Sequence, residues 1–390
     1  MTFTINSPAL NRSATFTRIL GQYGNGEGPT VVVTAGLHGN EPAGIFAIQD
    51  VLDQLRREAK PFRGRFIGLA GNLPALVNNV RYIDEDLNRL WRPSHVEHVK
   101  QKVSEGKDAG SVEAKEMLEL HGVIMDILDG GSGPSYFMDL HTTSSKSRPF
   151  APFDDTLTNR EFIKKFPVIR ILGIEEFLPG TLLSYLTRFD VVTLGYEAGQ
   201  HVDPNSIQFH ASMLWLTLVN AGCLPKEALP NYDEHYSCLQ KSAGGLSGFF
   251  DIRYRYAINP GEEFRMRPGF ESFQPVQEQQ VLADNKDHPI PAPFAGRIFM
   301  PLYQSKGDEG FFLIRPVAPI WLTLSRWLRQ WRFERFLTWL PGVKIDSKNP
   351  SAIFVDTRVA RFLATEIFHL LGYRRQVRDG KKICFSRRDP

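Results

Sequence analysis

The 390-residue sequence predicts an α/β fold with a mainly parallel or mixed central sheet and flanking helices, followed by a smaller β-rich unit and a helical C-terminal appendage. Three observations predict it. Over the first two hundred residues, short apolar runs alternate with segments of helical periodicity, the pattern of strands crossing over through helices. After about residue 230 the texture changes to short β-like pieces punctuated by Pro and Gly, such as PIPAPFAGRIFMPLY and GFFLIRP. From Ile320 onward, WLTLSRWLRQWRFERFLTWLPGV and DTRVARFLATEIFHLLGY have helical spacing. The expected units are therefore 1–230, 231–318 and 319–390.

Each early element has its own signal. TVVVTAG is a buried strand, and Pro42 stands at the start of a helix whose apolar face is Ile45, Ile48, Val51, Leu52 and Leu55. RFIGLAGN is a second strand. Residues 113–128 have helical spacing through Met117, Leu120, Ile124 and Ile127, and SYFMDLH is then a strand stopping at His141. FDVVTLGYEAG is a strand stopping at Glu197, and the helix FHASMLWLTLVNAG closes on Gly222. There is no internal repeat or low-complexity segment.

Composition narrows the function classes. Hydrophobic residues make up 42% and charged residues 23%, ordinary for a soluble globular protein. A net charge of +3 is too small to imply nucleic acid for the whole chain. Three widely spaced cysteines, Cys223, Cys238 and Cys384, fit a reducing compartment better than a disulfide framework or a cysteine zinc site. The N-terminus has no secretory pattern and no window is apolar enough to span a bilayer. A cytoplasmic location is expected.

Chemistry-bearing residues gather where strands end, the place at which open α/β sheets bind ligands. His38 and Glu41 follow the first strand in TAGLHGNEP; Arg81, Asn88 and Arg89 lie in NNVRYIDEDLNR; His141 and Glu197 end two further strands. Two imidazoles and a carboxylate make a three-ligand catalytic zinc set with a fourth position open, which acidifies water to a pKa of roughly 7. HxxE spacing alone is weak, since it also arises on helix faces, and Glu197 could equally be a surface strand-end acid. Arg81 and Arg89 could simply neutralise Asp84, Glu85 and Asp86 in their own loop.

HGNEPAG, RYIDEDLNR, DLHTT and GYEAG, in this order, resemble the succinylglutamate desuccinylase/aspartoacylase family, a branch of the zinc carboxypeptidase-like fold, over roughly residues 10–315. The resemblance implies one Zn²⁺ held by His38, Glu41 and His141, with Glu197 as general base and acid. It further implies that Arg81 polarises the scissile carbonyl and that Asn88 with Arg89 holds a substrate carboxylate. Tyr303 would be the tyrosine supplied by the β-rich unit, and Arg188 a further substrate-binding arginine. Independently of the family, a free carboxylate beside a metal suits proton transfer from water to a leaving amine, and an arginine fork suits a carboxylate or an oxyanion.

Three other residues receive readings from position alone. Asp139 shares a strand face with His141 and could either orient that imidazole or be a buried helix-capping acid. His201 would sit at the pocket rim, and His121 is an ordinary helix residue. The C-terminal segment lies outside the resemblance. Four of the six tryptophans are here, Trp321, Trp327, Trp331 and Trp339, interleaved with arginines. Their stripe is expected to pack on the body or on another subunit, leaving Arg326, Arg329, Arg332 and Arg335 solvated, while GYRRQVRDGKKICFSRR alternates like a strand pair. The expected function is a zinc-dependent hydrolase acting on a small N-acyl amino acid, without nucleic acid or a membrane span, and with homo-oligomerisation left open. The alternatives are a metallocarboxypeptidase for short peptides and a metal-retaining binding protein without activity.

Overall fold

The computed structural model describes residues 2–304, 306–333, 337, 342–345, 352–356, 368–379 and 382–387. A hairpin of β1 (Phe3–Ser7) and β2 (Arg12–Phe16) leads into β3 (Ile19–Tyr23) and β4 (Thr30–Ala35). All six residues of β4 are buried, as in a strand covered on both faces. After α1 (Ala43–Glu58) come β5 (Arg65–Ala70), α2 (Leu73–Asn78), α3 (Pro93–Ser104), α4 (Val112–Asp129) and β6 (Ser135–Thr143). Then follow β7 (Phe150–Pro152), α5 (Leu157–Ile163), β8 (Ile169–Leu172), α6 (Leu182–Leu186), β9 (Val192–Gln200), α7 (Asn205–Asn220) and α8 (Tyr232–Ser242). The expected apolar face of α1 is wholly buried, and the helix begins directly after Pro42. Ser111 caps α4 by accepting the Ala114 N–H at 3.0 Å.

Beyond α8 lie β10 (Phe249–Ala257), β11 (Phe264–Met266), β12 (Pro275–Val276), β13 (Val281–Asn285), β14 (His288–Pro291), β15 (Gly296–Phe299) and β16 (Glu309–Pro316). Eleven strands form one mixed sheet in the order β12-β15-β16-β10-β8-β7-β9-β6-β4-β5-β3. β5, β4, β6 and β9 are mutually parallel, whereas β7 runs against β9 and carries β8 and β10 with it. The central sheet therefore crosses the boundary expected at residues 230–231, because β10 pairs with β8; of the strands described between residues 231 and 318, β11, β13 and β14 form a separate small sheet. One core layer packs α1 and α7 on the sheet, and a second packs α3, α4 and α6 on its other face. This leaves the carboxyl ends of β4, β5, β6 and β9 on one edge.

The C-terminal segment departs from a purely helical appendage. After α9 (Pro319–Gln330) it contains β17 (Val343–Ile345), β18 (Ala352–Asp356), β19 (Tyr373–Asp379) and β20 (Lys382–Arg387) in a four-stranded antiparallel sheet. The strand pair expected near the terminus is β19 with β20. Most of the helix expected over 356–373 lies outside the described residues, as do Arg335 and Trp339. The tryptophan stripe does not pack on the body: Trp321, Trp327 and Trp331 are exposed, while Ser325 and Arg329 are buried. The reason is charge. Asp155, fully buried after β7, accepts hydrogen bonds from Arg160 at 2.8 Å, Arg329 at 2.9 Å and Arg374 at 2.6 Å. Arg374 also reaches Glu176 at 3.1 Å, so the appendage clamps the segments after β7 and β8.

Candidate active site

The turn from β4 into α1 carries the first two site residues. It threads against α2, and at Gly39 a Cβ would meet the Ala75 backbone at 2.0 Å, so only glycine passes there. The Glu41 N–H donates to the His38 carbonyl at 3.1 Å, folding both side chains inward, where they are buried. His141, also buried, comes from β6 and pairs in register with Glu197 of β9. The strands end two and three residues later than expected, at Thr143 and Gln200, so both residues sit inside strands rather than at their tips.

One ligand atom from each of His38, Glu41 and His141 lies within 4.8 Å of the others. His38 Nδ1 is 2.9 Å from Glu41 Oε1, and His141 Nδ1 is 3.1 Å from Glu41 Oε2. Each imidazole is held from behind by an aspartate, His38 Nε2 by Asp86 at 3.1 Å and His141 Nε2 by Asp139 at 2.7 Å. Asp139 is itself fixed by the Thr34 hydroxyl at 2.7 Å. The expected orienting role of Asp139 matches this geometry, and Asp86 is its counterpart on the other ring. With each Nε2–H given to an aspartate, both Nδ1 lone pairs face Glu41, an arrangement that calls for a cation or a proton between them. A buried N, N, O donor set of this kind fits zinc.

Electrostatics follows the same geometry. Burial disfavours ionised Glu41, but His38 and His141 outweigh it and hold its pKa well below the usual carboxylate range. Burial likewise opposes a charged His141, yet Asp139 and Glu41 raise it well above the ordinary imidazole value. At Glu197 the compensation is too weak. Burial pushes its pKa up to about 8, with Glu41 and Asp139 adding to the rise against His141 and Arg81.

The 81–89 loop is built by Glu113, a buried acid in the first turn of α4. Its carboxylate accepts the Ile83, Asp84 and Glu85 N–H groups at 2.7, 3.0 and 3.2 Å. Arg81 donates to Asp86 at 2.9 Å and lies 3.7 Å from Glu41. Asn88 accepts the Leu182 N–H at 2.9 Å through Oδ1, leaving its amide group as donor, and Arg89 lies 3.7 Å from Glu309. His38, Glu41, Arg81, Asn88, Arg89, His141 and Glu197 all line one cavity of about 130 Å³. His201 lines it too, with Nδ1 2.7 Å from the Thr142 hydroxyl.

Two expected residues stand apart. Arg188 is exposed before the start of β9, near the amino end of the strand whose carboxyl half carries the site, and it does not line the cavity. Tyr303 is 42% exposed and turns its hydroxyl to the Arg267 carbonyl at 2.8 Å, while its neighbour Gln304 lines the cavity instead. His121 hydrogen-bonds Tyr185 at 2.9 Å on α4, as an ordinary helix residue would. Glu113, Asp154 and Glu309 were not foreseen. Only Glu113 had a sequence signal, an acid in the first turn of a periodic helix.

The model of the succinylglutamate desuccinylase/aspartoacylase catalytic domain matches residues 27–178, which hold His38, Glu41, Arg81, Asn88, Arg89 and His141. Over that segment the chain is similar to the succinylglutamate desuccinylase/aspartoacylase family. The succinylglutamate desuccinylase of Pseudoalteromonas atlantica is 31% identical over 164 residues, 40% of this chain and 45% of the relative. That of Shewanella pealeana is 29% identical over 220 residues, 52% of this chain and 60% of the relative. The chain thus spans about half the length of the curated relatives it matches. The succinylglutamate desuccinylase/aspartoacylase structure from Rhodobacter sphaeroides shares the fold, with TM-score 0.55 and 20% identity over 76% of this chain and 88% of that one. The Vibrio cholerae succinylglutamate desuccinylase structure does likewise, with TM-score 0.53 and 16% identity over 75% and 83%. No helix among the described residues is long and apolar enough to cross a membrane.

Proposed function

We propose that the chain is a zinc-dependent deacylase that hydrolyses the amide bond of an N-acyl amino acid. The observation that carries this reading is the buried His38–Glu41–His141 set with the carboxyl of Glu197 placed opposite His141 and outside the set. A zinc ion held by those three residues supplies the Lewis acidity that acidifies water and polarises a carbonyl.

The chain's own residues do the rest. Asp139 and Asp86 fix the two imidazoles so that both Nδ1 atoms face inward. Glu197 takes a proton from water and returns it to the leaving amine nitrogen; burial raises its carboxyl pKa above the ordinary value, which favours holding that proton between the two steps. Arg81 presents guanidinium N–H groups to the carbonyl oxygen as charge develops there. The Asn88 amide and Arg89 anchor the substrate's α-carboxylate in the same cavity. Arg188 and Tyr303 have no part in this scheme. The low cysteine content supports a cytoplasmic setting.

The test is a panel of N-acetyl, N-succinyl and N-formyl amino acids offered to zinc-loaded protein, scored by release of free amine. The reading expects at least one substrate to turn over and Glu197→Gln to lose about 10²- to 10⁴-fold in kcat. Release of a C-terminal residue from peptides without deacylation would replace it with a carboxypeptidase.

A further inference from the structure

The cavity's supply of positive charge is small. Among its lining residues the permanent cations are Arg81 and Arg89, and both have acidic neighbours, Arg81 with Asp86 at 2.9 Å and Arg89 with Glu309 at 3.7 Å. Lys306, the nearby loop cation, instead donates to the Tyr82 carbonyl at 3.3 Å with its ammonium over the Tyr82 ring. If Arg81 serves the scissile carbonyl and Arg89 the α-carboxylate, no arginine of the lining is left for a second or third carboxylate.

Part of the remaining wall is polar but carries no permanent positive charge, with Thr142, Ser144, Ser145, Thr181 and Gln304, and part is apolar. Phe153, Ile174, Leu178, Leu183, Leu302 and Phe312 line the apolar part. Leu178 and Phe312 are buried members of the core under β8 and β10, against which Ile174 packs, so this wall is the edge of a packed core and is already formed. Its floor is closed at Gly195, where a Cβ would stand 2.9 Å from Pro152 and 3.3 Å from Leu183. An acid stands at this end: Asp154, buried and accepting the Ser184 hydroxyl at 2.9 Å, also lines the cavity. A substrate carboxylate directed there would lose its water and meet an acid.

We infer that the site takes an N-acyl amino acid with one carboxylate and a compact apolar group, and discriminates against dicarboxylate and tricarboxylate substrates such as N-acetylaspartate and N-succinylglutamate. This rests on the deacylase reading above. Leu183 and Asp154 are the specificity-determining positions, one by its apolar bulk in the lining and one by its carboxyl group.

The experiment measures kcat/KM of the zinc-loaded 390-residue chain for N-acetyl-leucine, N-acetylmethionine, N-acetylaspartate and N-succinylglutamate. Binding of leucine and of aspartate is followed in parallel by calorimetry as a readout independent of turnover. The apolar pair should exceed the acidic pair by at least about 100-fold, the scale on which an apolar pocket rejects an added polar group, and leucine should bind more tightly than aspartate. Asp154→Asn, which keeps the shape, should raise the aspartate-to-leucine ratio of kcat/KM severalfold, and so should Leu183→Arg. Equal or faster cleavage of the acidic pair overturns this inference and leaves the deacylase reading intact. Failure to cleave any N-acyl amino acid, with zinc bound, overturns the deacylase reading and this inference with it. A ratio unmoved by both variants removes the assigned residues.

Discussion

Asp155→Asn tests how the C-terminal appendage is held. The Asp155 carboxylate is fully buried and faces three guanidiniums, those of Arg160, Arg329 and Arg374; they outweigh the burial that would otherwise raise its pKa and hold it well below the usual carboxylate range. Asparagine keeps the shape but supplies one acceptor oxygen instead of two and sets an N–H₂ group against arginine donors. Three buried cations then lose their shared counter-charge. Glu176 and Asp251 remain near Arg374, at 3.1 and 3.6 Å, so the loss is partial. Removing one partner from a buried ionic network costs about 3–5 kcal/mol. Trp321, Trp327 and Trp331 lie in or just after α9 beside the clamp and Trp91 and Trp215 are buried in the main core, so tryptophan fluorescence during urea unfolding follows both parts. A loss of about 3–5 kcal/mol in that transition is expected, with amide exchange in β19 accelerated and zinc content unchanged. A loss below about 1 kcal/mol, the scale of an exposed pair, would refute the reasoning.

The remaining predictions concern the site. In metal-free protein the Glu197 carboxyl titrates near 8 when folded and near 4.5 when unfolded, so its penalty is absent below pH 4.5 and grows as pH rises to 8. Wild type should therefore lose up to on the order of 5 kcal/mol relative to Glu197→Gln across that window, read as the difference between two urea-melt series; parallel series would contradict it. Asp139→Asn should weaken zinc binding about 10- to 100-fold in a chelator competition, because His141 loses the partner that fixes its ring; unchanged affinity would remove Asp139 from the site. Tyr303→Phe and Arg188→Ala should each keep kcat/KM within about twofold, since neither lines the cavity, whereas Arg81→Met should lose about 100-fold or more. Parity of the three variants would mean that the cavity is not the site.

What the sequence revealed and concealed follows from the range of the interactions involved. The strand TVVVTA, the apolar face of α1 and the turn bearing His38 and Glu41 are set by neighbours within a few residues, and they are legible as periodicity and glycine placement. The meeting of His141 with Glu41 joins residues a hundred apart; it was legible only because both follow parallel strands whose carboxyl ends share an edge. Tyr303 lies in a loop with no periodicity to orient it, and the hydrogen bond to Arg267 that turns it away is a tertiary contact. Arg188 was misplaced because its strand runs away from it toward the site. The appendage misled through its helical spacing: β17 and β18 are short strands without a clear alternating pattern, and the burial of Arg329 depends on an aspartate 174 positions earlier.

Zinc stoichiometry and affinity, measured side by side on wild type, Glu197→Gln, His38→Ala, Glu41→Ala and His141→Ala, test the central claim most directly. The account predicts one equivalent of zinc, bound tightly by wild type and Glu197→Gln alike, with affinity collapsing in the other three variants while Glu197→Gln alone combines full metal content with lost amide hydrolysis. Loss of zinc from Glu197→Gln, or retention of it by the three ligand variants, would contradict the account.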